Sequence, residues 1–185
     1  SLSTGDGNDV IDAGGGNDTV NAGGGDDVIH QKDAGSDVVD GGEGADRLVL
    51  DYSGEISDYI IPSRGIWVNY YDADGNYLNR SGVGYEVTAP ANTARWGIDS
   101  HHYHVTYRGI EYLDVTGTQY ADFLLGGAQA DVLRGGGSSD VLEGGGGNDT
   151  LEGGDGDDTF RAGNHPQRID GGAGTDRLIV DFSDF

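Results

Sequence analysis

Cysteine is absent from all 185 residues, so neither a disulfide nor a thiolate metal site can form. Methionine is absent too, even at position 1, which leads us to expect a segment from inside a longer polypeptide. Basic residues are scarce: Lys+Arg number 10 against 33 Asp+Glu, for a net charge of −23. That balance excludes nucleic acid as a partner, because phosphate binding needs a basic surface, and it disfavours anionic membranes. No run of about 18 apolar residues occurs, so no membrane span is expected. No signal peptide is visible, so any export would be directed from outside this segment. Apolar residues make up only 35% while 36 positions are glycine. Glycine adds no apolar surface and loses the most backbone freedom on ordering, so burial alone cannot build an ordinary core here.

What is present is a strict repeat. Gly5-Asp6-Gly7-Asn8-Asp9-Val10-Ile11 is followed by Gly14-Gly15-Gly16-Asn17-Asp18-Thr19-Val20 and Gly23-Gly24-Gly25-Asp26-Asp27-Val28-Ile29. Asp9, Asp18 and Asp27 are nine residues apart; Asp37 follows after ten, and Asp46 restores the step of nine. After a long interruption the period returns at Asp122, Asp131, Asp140, Asp149, Asp158 and Asp176, with Gln167 standing where one more Asp is due. The unit reads Gly-Gly-x-Gly-x-Asp-x-apolar-x. Its apolar slot holds Ile11, Val20, Ile29, Val39, Leu48, Leu124, Leu133, Leu142, Leu151, Phe160, Ile169 and Leu178. A slot filled in every unit argues against a solvated low-complexity linker.

The repeat divides the chain into a first array over 1–50, an insert over 51–115 and a second array over 116–185. Nine of the 10 tyrosines and both tryptophans fall in the insert, which gives that part the means for a conventional core. Asp46-Arg47-Leu48-Val49-Leu50-Asp51-Tyr52-Ser53 returns as Asp176-Arg177-Leu178-Ile179-Val180-Asp181-Phe182-Ser183, which suggests a parent protein that repeats array and insert in tandem.

A single unit cannot hold itself together. Ordering nine backbones costs more than burying one Leu, Ile or Val returns, the Gly-rich half is expected to form little ladder, and carboxylates of like charge come into register. An external counter-charge is needed. The loops name its kind: glycines turn backbone carbonyls inward, the aspartate adds charge, and an all-oxygen set is the preference of Ca²⁺ over Mg²⁺ or Zn²⁺. The candidate ligands are the carboxylates of the eleven aspartates of the repeat and the loop glycines before them. These are Gly5 and Gly7, Gly14 and Gly16, Gly23 and Gly25, Gly42 and Gly44, Gly127, Gly136, Gly145 and Gly147, Gly154 and Gly156, and Gly172 and Gly174. Which carbonyls ligate, those of positions two and four or their neighbours, stays open.

The unit closely resembles the RTX (repeat-in-toxin) hemolysin-type calcium-binding nonapeptide repeat family, over about 110 residues in two blocks. The resemblance implies an all-β chain with two parallel β-roll blocks, a β-helix-like solenoid, separated by a short-stranded β insert. It implies two units per coil, with calcium between loops stacked on the same side. Asp9 would then share a site with Asp27, Asp18 with Asp37, Asp27 with Asp46, Asp122 with Asp140, Asp131 with Asp149, Asp140 with Asp158, and Asp158 with Asp176. That makes about seven Ca²⁺ ions; the Asp149 loop would face the degenerate Gln167 loop. The resemblance also implies a secreted, extracellular bacterial protein that passes unfolded through a type I secretion channel.

Other features weigh less. The Gly-rich loops lack the third glycine of a nucleotide-binding turn, and an Asp at the anion site would repel phosphate. Asp72-Ala73-Asp74-Gly75-Asn76 is read as a hairpin turn joining strands Ile66–Tyr71 and Tyr77–Arg80 rather than an EF-hand loop. His102 and His104 share one face of a strand, without evident further zinc ligands. The insert's aromatic residues, Trp67, Tyr70, Tyr71, Tyr77, Tyr85, Trp96 and Tyr103, are assigned to its core, with a carbohydrate or cell-surface platform of an adhesin as the alternative. No His-Glu-x-x-His, Gly-x-Ser-x-Gly or nucleophilic Cys occurs, so the chain is expected to be non-catalytic, a structural module or an accessory domain of a secreted enzyme.

Overall fold

A computed structural model describes residues 1–32, 36–53, 66–71, 77–78, 94–98, 103–163, 165 and 167–181. All regular structure among them is strand: β1 (Leu2–Ser3), β2 (Val10–Asp12), β3 (Thr19–Gly24), β4 (Val28–Gln31), β5 (Ser36–Glu43), β6 (Arg47–Asp51), β7 (Ile66–Tyr71), β8 (Tyr77–Leu78) and β9 (Ala94–Ile98). The series continues with β10 (Tyr103–Arg108), β11 (Tyr112–Thr116), β12 (Phe123–Leu125), β13 (Val132–Gly137), β14 (Val141–Glu143), β15 (Thr150–Asp155), β16 (Thr159–Ala162), β17 (Arg168–Ala173) and β18 (Arg177–Val180).

Each short x-apolar-x run is a strand because alternation sends its middle residue inward and its neighbours out. The loop before it reverses the chain, so consecutive strands lie on opposite faces and strands two units apart pair in parallel. Ile11 lies opposite Ile29, Leu133 opposite Leu151, and Leu124, Leu142, Phe160 and Leu178 align in one row. One face of the solenoid is a single seven-stranded sheet in the order β17-β15-β13-β11-β6-β4-β2. The other face is divided, with β1, β3 and β5 on the first array and β12, β14, β16 and β18 on the second. The apolar slots form the core: Ile29, Val39, Leu48, Leu124, Leu133, Leu142 and Leu151 are fully buried. Ile169 is partly buried against that core, and only Leu178, on the last strand, is largely exposed.

The Gly-rich half of the unit pairs more than its composition suggests. Gly23 lies opposite Gly42 and Gly24 opposite Glu43; Gly136 lies opposite Gly154 and Gly137 opposite Asp155. The expectation of little ladder is therefore corrected. Without Cβ atoms between them, stacked loops approach to ladder spacing and their amides reach the carbonyls of the preceding coil, as Gly137 does to Thr118 at 3.0 Å.

The insert returns into the coil. β10 pairs in parallel with β5, then leads antiparallel through β9 and β7 to β8, which extends the first array's face sideways. β11 completes the coil on the opposite face, between β6 and β13. Leu113 lies opposite Leu48, whereas Val115 lies opposite both Leu50 and Leu133. The second array is thus stepped by two residues along the strand. An even step keeps every apolar side chain on the inner face, where a step of one would turn them all outward. Tyr52, Tyr107, Ile110, Leu113 and Val115 join the core of the rolls. The turn at 72–76, His102, Tyr85 and the 79–80 end of the expected hairpin lie outside the described residues, as do the side chains of His104 and of the remaining insert aromatics named above.

Candidate metal centre

Position six of each unit closes the loop just before the strand, and the strand's alternation turns its carboxylate inward. There Oδ1 accepts the amide of the matching aspartate one coil earlier. Asp9 donates to Asp27 at 2.8 Å, Asp18 to Asp37 at 2.7 Å, and Asp27 to Asp46 at 2.9 Å. In the second array Asp122 donates to Asp140 at 2.7 Å, Asp131 to Asp149 at 3.0 Å, Asp140 to Asp158 at 2.8 Å and Asp158 to Asp176 at 3.1 Å. Every pair expected from two units per coil is brought together. Asp27, Asp37, Asp46, Asp122, Asp131, Asp140, Asp149 and Asp158 are buried; Asp9 and Asp18 are half-buried, and Asp176 on the last coil is exposed.

The second oxygens divide the eight buried aspartates into two classes. Oδ2 of Asp27, Asp46, Asp140 and Asp158 is buried without any hydrogen-bond partner. Elsewhere the protein supplies a donor: Gln31 Nε2 to Asp37 at 2.6 Å, the Thr118 amide to Asp122 at 2.6 Å, the Gly127 amide to Asp131, and Gln167 Nε2 to Asp149 at 3.2 Å. Composition and spacing did not reveal Gln31, Thr118 and Gln167 as partners of the site. The available signal was that each sits where the Gly/Asp pattern breaks.

The glycines shape the space around those oxygens. Gly154 and Gly156 have φ of +108° and +136°, and a Cβ on them would lie 2.1 Å from the carbonyl oxygen of Gly136 and 1.9 Å from that of Ser138. Carbonyls of positions two and four thus point along the stack at the next loop, with no side chain between. Of the candidate glycines, only Gly5 and Gly127 lack a positive φ.

Burying so many like charges is costly. Burial pushes the Asp140 carboxyl up to about 8, with the Asp122 and Asp158 carboxylates adding to it against the Asp122 amide. Burial also raises Asp131 to about 6, opposed by the Leu113 and Gly127 amides. Asp46, Asp149 and Asp158 are raised too, each mainly by burial. An unpartnered buried carboxylate oxygen is costly unless a cation meets it. Among the described residues no three His, Asp or Glu side chains cluster as metal ligands. A cation held here would complete its shell with backbone carbonyls or water. Orphaned carboxylate oxygens, inward carbonyls and glycine-lined room together make an all-oxygen donor set, which fits Ca²⁺.

The model of the RTX calcium-binding nonapeptide repeat matches residues 1–30, 33–51, 116–151, 135–165 and 152–182, more than half of the chain. The chain belongs to this RTX repeat family. Its repeats are calcium-binding repeats, and the stacked aspartates and loop carbonyls are the groups that would hold the ion. No curated protein matches the chain significantly. The matched stretches coincide with the solenoid on either side of the insert. In the RTX loops Oδ2 of Asp140 and of Asp158 has no partner, whereas the loop facing Asp149 carries Gln167, whose side-chain amide answers the carboxylate directly.

Proposed function

We propose that this chain is a non-catalytic structural module of a larger secreted bacterial protein, and that it folds on calcium after export. One observation carries the reading: carboxylates are stacked in the interior with one oxygen fastened to the preceding coil, and at Asp27, Asp46, Asp140 and Asp158 the other oxygen is left for a cation. About seven ions at the paired loops would bring about fourteen positive charges against a net charge of −23. Because the loops exist only once the coil is stacked, ion binding is folding free energy. Extracellular calcium modules bind in the range of about 10⁻⁴–10⁻³ M. A chain of this kind stays unfolded where free Ca²⁺ is scarce, which suits threading through a secretion channel, and coils where Ca²⁺ is plentiful. RTX repeats are typical of secreted bacterial proteins, which supports the location.

The test is a calcium titration followed by far-ultraviolet circular dichroism and calorimetry. The expected outcome is a coil-like array spectrum in chelator and a cooperative gain of β signal with about seven ions bound. Arrays that stay folded at nanomolar Ca²⁺, indifferent to chelator, would contradict the mechanism.

A further inference from the structure

We propose that Glu111 completes an additional calcium site with the Asp46 loop, where the insert rejoins the solenoid. The inference rests on the calcium reading above and extends it to a turn outside the repeats.

In the regular RTX loops the space beside the first glycine of a unit is bordered by two oxygens. One is Oδ2 of the unit's own aspartate and the other is the carbonyl of the first glycine one coil on. A Cβ on Gly135 would lie 2.2 Å from Asp140 Oδ2 and 2.6 Å from the Gly153 carbonyl; on Gly153 the distances are 2.1 Å to Asp158 Oδ2 and 2.5 Å to the Gly171 carbonyl. The first glycine before Asp46 is Gly41, and no repeat loop follows it in the stack. Yet a Cβ there would lie 2.6 Å from Asp46 Oδ2 and 2.0 Å from the carbonyl of Gly109, in the insert's return turn. The same pair of oxygens is present, with the carbonyl supplied by the insert instead of a repeat loop.

The carboxylate is rebuilt as well. The Asp46 amide donates to Glu111 Oε2 at 2.9 Å, as the Asp27 amide does to Asp46 Oδ1 at 2.9 Å. The Tyr112 amide donates to the Asp46 carbonyl at 3.0 Å, as the Arg47 amide does to the Asp27 carbonyl at 2.8 Å. Glu111 therefore occupies the slot of the next repeat aspartate. The turn places two residues of spacing between Gly109 and Glu111 where a repeat has five between its first glycine and its aspartate, and the extra methylene of Glu compensates for the missing loop. Independently of this geometry, Asp46 is fully buried and its Oδ2, aimed into the shared space, has no partner. A buried carboxylate oxygen, a second carboxylate and an inward carbonyl call for a hard divalent cation. An ion there ties β10 and β11 to the first array, so calcium couples the insert and both arrays into one coil.

The substitution Glu111→Gln tests this, because the amide oxygen can still accept the Asp46 N–H while the charge is lost. Bound Ca²⁺ is counted by native mass spectrometry on the 185-residue chain, with circular dichroism as the fold control. The expected result is one ion fewer than in the unsubstituted chain, with the β signal retained at saturating calcium. Glu111→Lys, whose ammonium replaces the ion, should likewise fold and lose one ion. An unchanged count in either variant overturns the proposal. So does collapse of both at saturating calcium, which would make Glu111 a folding residue rather than a ligand. An unsubstituted chain that binds no calcium sinks the underlying reading instead, so the two failures are distinguishable.

Discussion

The amide of Asp140 donates to Oδ1 of Asp158 at 2.8 Å, eighteen residues further along the chain, while Oδ2 of Asp158 lies buried with no partner. Half of the carboxylate is thus used to hold the coil in register, and half is presented to a cation. The backbone bond fixes the orientation that an ion would otherwise have to impose, which lowers the ordering cost of binding.

Asp140 participates in two stacked pairs, with Asp122 behind it and Asp158 ahead. Asp140→Asn keeps an acceptor for the Asp122 amide but removes the charge and one ligand oxygen. We expect the variant to lose more than one ion's worth of binding and about 1–3 kcal/mol of stability in saturating calcium. In chelator it should be no less structured than the unsubstituted chain, because a buried repulsion has been relieved. Calorimetric ion counts and denaturant unfolding in saturating calcium, with circular dichroism in chelator, check this.

The raised carboxyls predict opposite pH responses with and without metal. Asp140 is pushed up to about 8 and Asp131 to about 6 by burial, so the metal-free coil binds more protons than the unfolded chain. Its stability must therefore rise as pH falls from about 8 toward about 4, the ordinary carboxyl range. With calcium present, protons compete for the same oxygens and the half-saturating concentration should rise as pH falls. Circular dichroism in calcium-stripped buffer at pH 8 and pH 5 is the direct comparison. A greater β signal at pH 8 than at pH 5 would defeat the assignment.

Glycine is required at some loop positions and merely tolerated at others. Gly154→Ala forces a side chain into φ of +108° and against the Gly136 carbonyl, at a cost of about 1–3 kcal/mol from backbone strain alone. Gly163→Ala meets nothing within 4 Å and should change stability by less than about 0.5 kcal/mol. Urea unfolding in saturating calcium separates the two.

At the irregular loop, Gln167 Nε2 donates to Asp149 Oδ2 at 3.2 Å, which gives that oxygen a protein partner. Gln167→Ala should leave that oxygen without a donor, lower stability by about 1–3 kcal/mol and leave the number of bound ions unchanged. A variant that loses an ion as well would show that this loop pair is metal-loaded.

Much of this architecture was legible along the chain. Apolar residues every nine positions from Ile11 to Leu48, with one step of ten between Ile29 and Val39, and every nine from Leu124 to Leu178 require a short strand per unit. With two units per coil, the family's arrangement places Asp27 beside Asp46 and Asp140 beside Asp158. Which oxygens stay orphaned was not legible, because the donors that satisfy Asp37 and Asp149 are amides of Gln31 and Gln167 in loops that depart from the pattern. Glu111 was missed because it belongs to no repeat, although Glu111-x-Leu113 echoes the Asp-x-apolar step.

The sequence by itself determined the inner row of apolar side chains and the identity of the inward carboxylates, since both follow from spacing within a unit, while the pitch of two units per coil came from the family resemblance. Only the tertiary structure decided how the two arrays join. β11 enters between Leu48 and Leu133 with a two-residue step, and Glu111 meets Asp46 across 65 positions of chain. Contacts of that range are set by which strand edges and unsatisfied groups are open once the coils exist, and no local period encodes them.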